Sequence, residues 1–368
     1  MQNHLLTTPL GIFQLQRYPP RPSDSLQAWN SADTLLIDAI HKEVPAGADV
    51  LVVNDDQGAL SLALSPVSIW SDSALSGIAI SRNLQANDRG TGQFIASTEY
   101  PAGPFSAVAL KVPKLLSYFE YQLALLAAVL QPGTPLFASG MDKHLSPQVA
   151  SLLEKYIGPT QRQRGQHKAR VFVATKDQRE NQPGPGEHTY FCEALGRDLT
   201  AKPNVFSRDS LDIGSRFLIE HFSQLGSAEA LIDLACGNGV LGLCAERLGL
   251  AGTIAFCDES AMAIASARAN AGQGNNQYYF QQADGLIDYA GPEAQLILCN
   301  PPFHSNHAVD EYAGKRLIQQ CADYLTSDGR LCLVANRHLP YAQVLGRGFR
   351  QVEKLAQSRK FTIWLAVK

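Results

Sequence analysis

The segment DVLVVNDDQGALSLALS (residues 49–65) can be laid over ALIDLACGNGVLGLCAE (230–246) so that Gly58 meets Gly239 and the apolar positions coincide. Further along, SDSALSGIAISRN (71–83) shares its helical rhythm with DESAMAIASARAN (258–270), and both end in Asn. LFASGMDKHL (136–145) then echoes LCLVANRHL (331–339), and KARVFVATK (168–176) echoes KFTIWLAVK (360–368). Four matches in one order make the chain two copies of a single unit, which limits the folds it can adopt more than any other feature. At 368 residues the chain also exceeds the size at which single cores stop growing, so each copy is expected to bury its own.

Within the second copy the apolar runs ALIDLA, TIAFCD, LILCN and RLCLVA alternate with the helical patterns VLGLCAERLG, AMAIASARAN and YAGKRLIQQCADYL. Strand–helix alternation predicts an α/β fold: two tandem Rossmann-like domains, each a mainly parallel doubly wound sheet. The polar segment KDQRENQPGPGEHTY (176–190) carries Pro-Gly-Pro-Gly and reads as a loop. The expected boundaries are a first domain at 1–180, a linker at 181–199 and a second domain at 200–368.

Ligands in such sheets bind at the carboxyl ends of strands near the switch in strand order. There, DLACGNGVLG (233–242) follows a strand and opens a helix, with glycines at 237 and 239 for a tight turn and close backbone approach. Asp258 stands 21 residues after Gly237 at the end of the next strand, where an acid can accept from ribose hydroxyls. A nucleoside-containing cofactor is implied. Gly237 to Gly242 also satisfies GxGxxG, so NAD is a rival, and a plain strand-to-helix turn needs no ligand. Asp233 argues for S-adenosylmethionine, because a carboxylate there repels a pyrophosphate but pairs with a cationic ligand.

The second informative stretch is ILCNPPFHSNH (297–307). Two prolines stiffen the exit from the strand and keep the Asn300 side-chain oxygen and the Pro301 carbonyl out of helix formation. Two neighbouring acceptors suit a primary amine, whose two N–H groups they can hold while the nitrogen lone pair is freed for attack. Pro302 completes the rigid exit, and Phe303 offers a face for an unstacked base. Cys299 is expected to be buried and inert, and no covalent nucleophile is required.

DLACGNG, Asp258 and NPPF, with VFSRDSLDIGSRFLIEH (205–221) upstream, resemble the bacterial ribosomal RNA guanine-N2 methyltransferases of the NPPF amino-methyltransferase superfamily. The tail ANRHLPY through KFTIWLAVK is most similar to the large-subunit (23S) G type, with the small-subunit (16S) C type as near neighbour. The resemblance covers essentially the whole chain. It implies a degenerate N-terminal methyltransferase-like domain, a catalytic C-terminal one, and methylation of the exocyclic N2 of a guanine in 23S rRNA. It further implies that Asp233, Gly237 and Gly239, with Asn238 between the glycines, hold the methionine part. Asp258 would hold the ribose, Asp284 the adenine amine, and Asn300, Pro301, Pro302 and Phe303 the target guanine. Ala235 departs from the glycine usual in such motifs, which is tolerable at negative φ. Other readings are 16S RNA, adenine N6 or protein glutamine as acceptor, a non-enzymatic RNA-binding assembly factor, and a NAD-dependent oxidoreductase.

In the first copy Val52 stands where the second has Asp233, Asp56 replaces the first glycine, and KVPK (111–114) replaces NPPF. Its expected role is to grip RNA. QRQRGQHKAR (161–170) packs Arg162, Arg164, Lys168 and Arg170 without an acid, the local patch that phosphate binding requires in a chain of net charge -3. A solvated basic hairpin is the alternative. Lys111, Lys114, Arg208 and Arg216 are weaker candidates. His304, His307 and Cys299 lack a fourth ligand, so no metal is expected. Seven cysteines without paired spacing suggest reduced, buried thiols. With no signal-like start and no long apolar run, the expectation is a cytoplasmic protein, not membrane-bound, with a monomer as the default.

Overall fold

The computed structural model describes residues 4–20, 26–90, 92–272, 276–302 and 307–368, the last without the side chains of 307–311. The chain divides into two compact units, Met1–Gly186 and Glu187–Lys368.

The second unit is built on a seven-stranded sheet in the spatial order Gln277–Gln282, Thr253–Asp258, Ala230–Leu234, Ala294–Cys299, Leu325–Asn336, Phe361–Val367, Gln351–Gln357. The first five strands are parallel, and Phe361–Val367 runs antiparallel to both its neighbours. Strand order reverses between Ala230–Leu234 and Ala294–Cys299, so the ligand crevice of this topology opens at their carboxyl ends. The central strands read as continuous apolar runs because both faces are covered. Leu231, Ile254, Leu296 and Leu298 face one core, while Ile232, Ala255, Ile297 and Cys299 face the other.

The first unit repeats the same order with Gln93–Ala96, Ser68–Ser71, Val50–Val53, Ala107–Lys111, Pro135–Met141, Ala169–Thr175 and Thr160–Arg162. The duplication extends to single atoms. Asn270 Nδ2 donates to the carbonyls of Thr200 and Asn238, and its Oδ1 accepts from the Thr200 N–H. Asn83 Nδ2 donates to the carbonyls of Gln16 and Gln57, and its Oδ1 accepts from the Gln16 N–H. The two asparagines that end the matched sequence segments therefore make the same bonds, each fastening the glycine loop to a preceding hairpin.

Those hairpins, Leu5–Thr8 with Gly11–Gln14 in the first unit and His188–Cys192 with Arg197–Ala201 in the second, escaped the sequence reading. Residues 188–199, expected to be linker, instead belong to the antiparallel pair His188–Cys192 and Arg197–Ala201. Cys192, Leu195 and Leu199 of this hairpin are buried in the second unit's core, and that packing gives a polar-looking segment its order. All seven cysteines are free and buried. Among the described residues no helix is long and apolar enough to cross a membrane, and no group of three or more His, Cys, Asp or Glu side chains is placed to hold a metal.

Candidate active site

The strand Ala230–Leu234 passes through residues 235–239 into the helix Val240–Arg247. Asp233 is completely buried. Its Oδ2 accepts the Gly242 N–H at 2.8 Å, while Oδ1 has no partner among the described residues. Burial pushes this carboxyl up to about 8, against the downward pull of the Gly242 N–H, and the nearby Asp258 adds to the rise. An unsatisfied buried oxygen costs roughly 1–3 kcal/mol. A cationic ligand group would satisfy it, so the residue fits the ammonium or sulfonium end of S-adenosylmethionine.

The three glycines have different work. Gly237 has φ +55, and a Cβ there would meet nothing nearer than Val205 Cγ1 at 4.0 Å, so this backbone faces open space. By contrast, a Cβ at Gly239 would lie 3.1 Å from both Ala267 Cβ and Phe256 Cε1, and one at Gly242 would lie 2.6 Å from Phe256 Cε1. These two let the helix pack on the sheet, whatever ligand is bound. Gly237 N–H donates to Asp258 Oδ2 at 2.9 Å, and Asp258 Oδ1 accepts from Ser260 N–H at 3.0 Å. One carboxylate thus ties the loop to the next strand end.

One expectation is corrected, and two residues gain partners the sequence did not show. Ala235 lies at φ +58, in the left-handed region rather than at negative φ, as does Asn54 at φ +59 in the first unit. The turn demands that conformation and Ala235 carries its strain. Asn238, expected beside the cofactor, has its Nδ2 on Tyr190 Oη at 3.1 Å, so its side chain braces the loop against the hairpin. Asp284 is buried and receives both guanidinium nitrogens of Arg316, Nη1 at 3.0 Å and Nη2 on the other oxygen. Arg316 comes from the helix His307–Tyr324, and nothing in local spacing announces the pair.

Asn300 follows the strand Ala294–Cys299, whose Cys299 pairs with Leu234, so Asn300 emerges beside the glycine loop. Its Nδ2 donates to Asp212 Oδ2 at 3.0 Å and to Ser215 Oγ at 2.9 Å. A carboxylate only accepts, so the amide must present its nitrogen to Asp212 and turn Oδ1 away from it. That Oδ1 is buried and has no partner among the described residues. Asp212 also caps the helix Ile213–Ile219 by accepting the Ser215 N–H at 2.9 Å. Pro301 is buried and Pro302 exposed, while Phe303 and His304 lie outside the described residues. Burial holds the Cys299 thiol well above its ordinary range, helped by Cys321, Asp233 and Asp258, so it is no nucleophile.

The matching site of the first unit is closed by an ion cluster. Lys111, at the position of Asn300, lies 2.8 Å from both Asp33 and Asp56. On the same unit Arg162, Arg164 and Lys168 are exposed on the hairpin Thr160–Arg162/Ala169–Thr175, whereas Arg170 is paired with Asp142 at 3.2 Å. Lys114 and Arg216 are exposed, and Arg208 lies 3.9 Å from Asp209.

Comparison with known proteins agrees with this layout. The family described as RLMG N-terminal domain matches residues 3–178, and the family described as Methyltransferase small domain matches residues 196–365. The chain is 39% identical to the Ribosomal RNA large subunit methyltransferase G of Pseudomonas aeruginosa (strain PAO1), over 99% of this chain and 100% of that protein. It is 38% identical to the protein of the same name from Ectopseudomonas mendocina, with the same coverage. Among solved structures, the T. thermophilus 16S rRNA N2 G1207 methyltransferase (RsmC) in complex with AdoMet and guanosine aligns with TM-score 0.77 at 21% identity, covering 99% of this chain and 97% of that one. At that identity the likeness shows the fold: two α/β units with mostly parallel sheets.

Proposed function

This chain belongs to the ribosomal RNA large subunit methyltransferase G family, and from that premise we propose that it methylates the exocyclic N2 of one guanine in 23S rRNA. It is an S-adenosylmethionine-dependent rRNA methyltransferase. We assign catalysis to residues 200–368 and a supporting role in RNA binding to residues 1–180. Such a substrate implies work in the cytoplasm.

The observation that carries the reading is the Asn300 side chain, turned by Asp212 and Ser215 so that a buried acceptor without a partner among the described residues remains beside the glycine loop. Asn300 Oδ1 and the Pro301 carbonyl would hold the two N–H groups of the target amine. Holding both weakens delocalisation of the nitrogen lone pair into the purine and aims it for in-line attack. When bound, S-adenosylmethionine supplies a methyl group activated by its sulfonium. Asp233 would face the positive charge of the cofactor, Gly237 would let the backbone approach it, and Asp258 would accept from its ribose. Asp284, held by Arg316, would accept from the adenine amine.

The test is incubation of the protein and labelled cofactor with protein-free 23S and 16S rRNA from a strain lacking the gene, followed by nucleoside analysis. N2-methylguanosine in 23S RNA alone is expected. Label in 16S RNA, or as methyladenosine, would overturn the substrate assignment.

A further inference from the structure

The second unit carries a basic cavity that the catalytic reading leaves unused. It has a volume of about 550 Å³ and is lined by Asn336, Arg337, His338, Arg359 and Lys360. No acid is among these lining residues. Arg337, His338, Arg359 and Lys360 are exposed, and the Oδ1 of Asn336 is buried with no partner among the described residues.

Topology puts the cavity on the catalytic edge. The strand Leu325–Asn336 runs parallel to Ala294–Cys299, with Leu333 opposite Cys299. Asn336 lies three residues beyond that level, roughly 10 Å along the strand. The turn between Gln351–Gln357 and Phe361–Val367, which carries Arg359 and Lys360, meets it there, since Phe361 pairs with Asn336. Across the carboxyl edge of the sheet the order is therefore glycine loop and Asp258, then Asn300, then the basic cavity. A nucleotide chain that delivers its target base to Asn300 can run its neighbouring phosphates along this basic side, away from the cofactor loop.

The duplicated unit sharpens the point. By sheet register Met141 of the first unit stands at the position of Asn336, Asp142 at that of Arg337, and Lys168 at that of Lys360. In the first unit Asp142 pairs with Arg170 and neutralises part of the lip. In the second unit Arg337 stands at the position of that acid, and the lip keeps its full positive charge.

We propose that Arg337, His338, Arg359 and Lys360 bind the RNA phosphates flanking the target base, an inference that rests on the rRNA reading above. Each phosphate contact releases counterions, so its loss lowers the salt dependence of binding. The experiment compares wild type, the double variant Arg359→Ala with Lys360→Ala, and the charge-keeping swap Arg359→Lys with Lys360→Arg. Cofactor affinity and melting temperature are measured first and should match in all three. The alanine pair should raise KM for rRNA about tenfold or more and reduce the slope of log Kd against log salt by about 1.5 to 2. The swap should keep both near wild type. Wild-type KM and slope in the alanine pair would overturn the proposal while leaving the activity assignment standing. A wild-type protein that methylates no rRNA would overturn the activity assignment and this proposal together.

Discussion

Asn300 Nδ2 lies 3.0 Å from Asp212 Oδ2, and this one bond between residues 88 positions apart decides which end of the asparagine is free. The same carboxylate oxygen caps a helix through Ser215 N–H at 2.9 Å, so its own position is anchored. The acceptor on which the proposed chemistry depends is therefore aimed by a helix cap on a different element.

Removal of the acceptor should be far costlier to rate than to cofactor binding. Asn300→Ala is expected to lower kcat by a factor of roughly 100 or more, as loss of one positioned polar partner does elsewhere. Cofactor affinity, read by calorimetry, should change little. Near-normal turnover would remove Asn300 from the mechanism.

Asp212 should behave as a positioning residue. Asp212→Ser keeps a good helix cap but is too short to hold the amide of Asn300. We expect kcat to fall by about tenfold from misorientation, with the melting temperature nearly unchanged. A variant that loses stability and rate in proportion would mean that Asp212 serves only the helix.

The raised Asp233 carboxyl gives a pH signature. Its folded value of about 8 lies above the ordinary 3.8, so the stability it contributes is full below pH 3.8 and is lost as pH rises through about 8. Pairing with a cationic ligand favours the ionised form, so binding should expel a proton. Between pH 6 and 7.5 the affinity for S-adenosylmethionine should rise by roughly tenfold or more, since each pH unit below the carboxyl's value is worth up to tenfold. Asp233→Asn should flatten both the stability and the affinity trends relative to wild type. Equal slopes in the two proteins would show that Asp233 does not titrate in this range.

Ala235 is strained at φ +58. Ala235→Gly should stabilise the cofactor-free protein by roughly 1 kcal/mol, a few degrees in melting temperature. Ala235→Val should destabilise it, because a branched side chain suffers more at positive φ. A lower melting temperature for the glycine variant would contradict the strain.

The closed site of the first unit should bind no cofactor, so calorimetry should find one S-adenosylmethionine per chain. Lys111 is held charged against burial by Asp33 and Asp56, and Asp33 is itself nearly inaccessible. Lys111→Met should therefore destabilise the protein by roughly 3–5 kcal/mol, the cost of leaving a buried charge unpaired. Little change in melting temperature would mean that water already reaches the cluster.

Much of the architecture can be read from the chain because the signals are local or repeated. The apolar runs, the asparagines that end the two matched helices and the glycine loop are each written in a dozen residues, and duplication writes them twice. The sequence alone thus determined two α/β units, a strand–glycine–helix turn at 233–242 and a stiff Asn-Pro-Pro exit at 300–302, since periodicity and fixed backbone angles are properties of neighbours. Which groups meet across the fold was decided only in three dimensions. The partnerships of Asp212 with Asn300, Arg316 with Asp284, Tyr190 with Asn238, and Lys111 with two acids join side chains far apart along the chain. So does the basic cavity, whose two arms come from opposite ends of antiparallel strands. Hydrogen bonds and ion pairs depend on distances of about 3 Å, and distances of that size between remote residues exist only once the sheet has set their register.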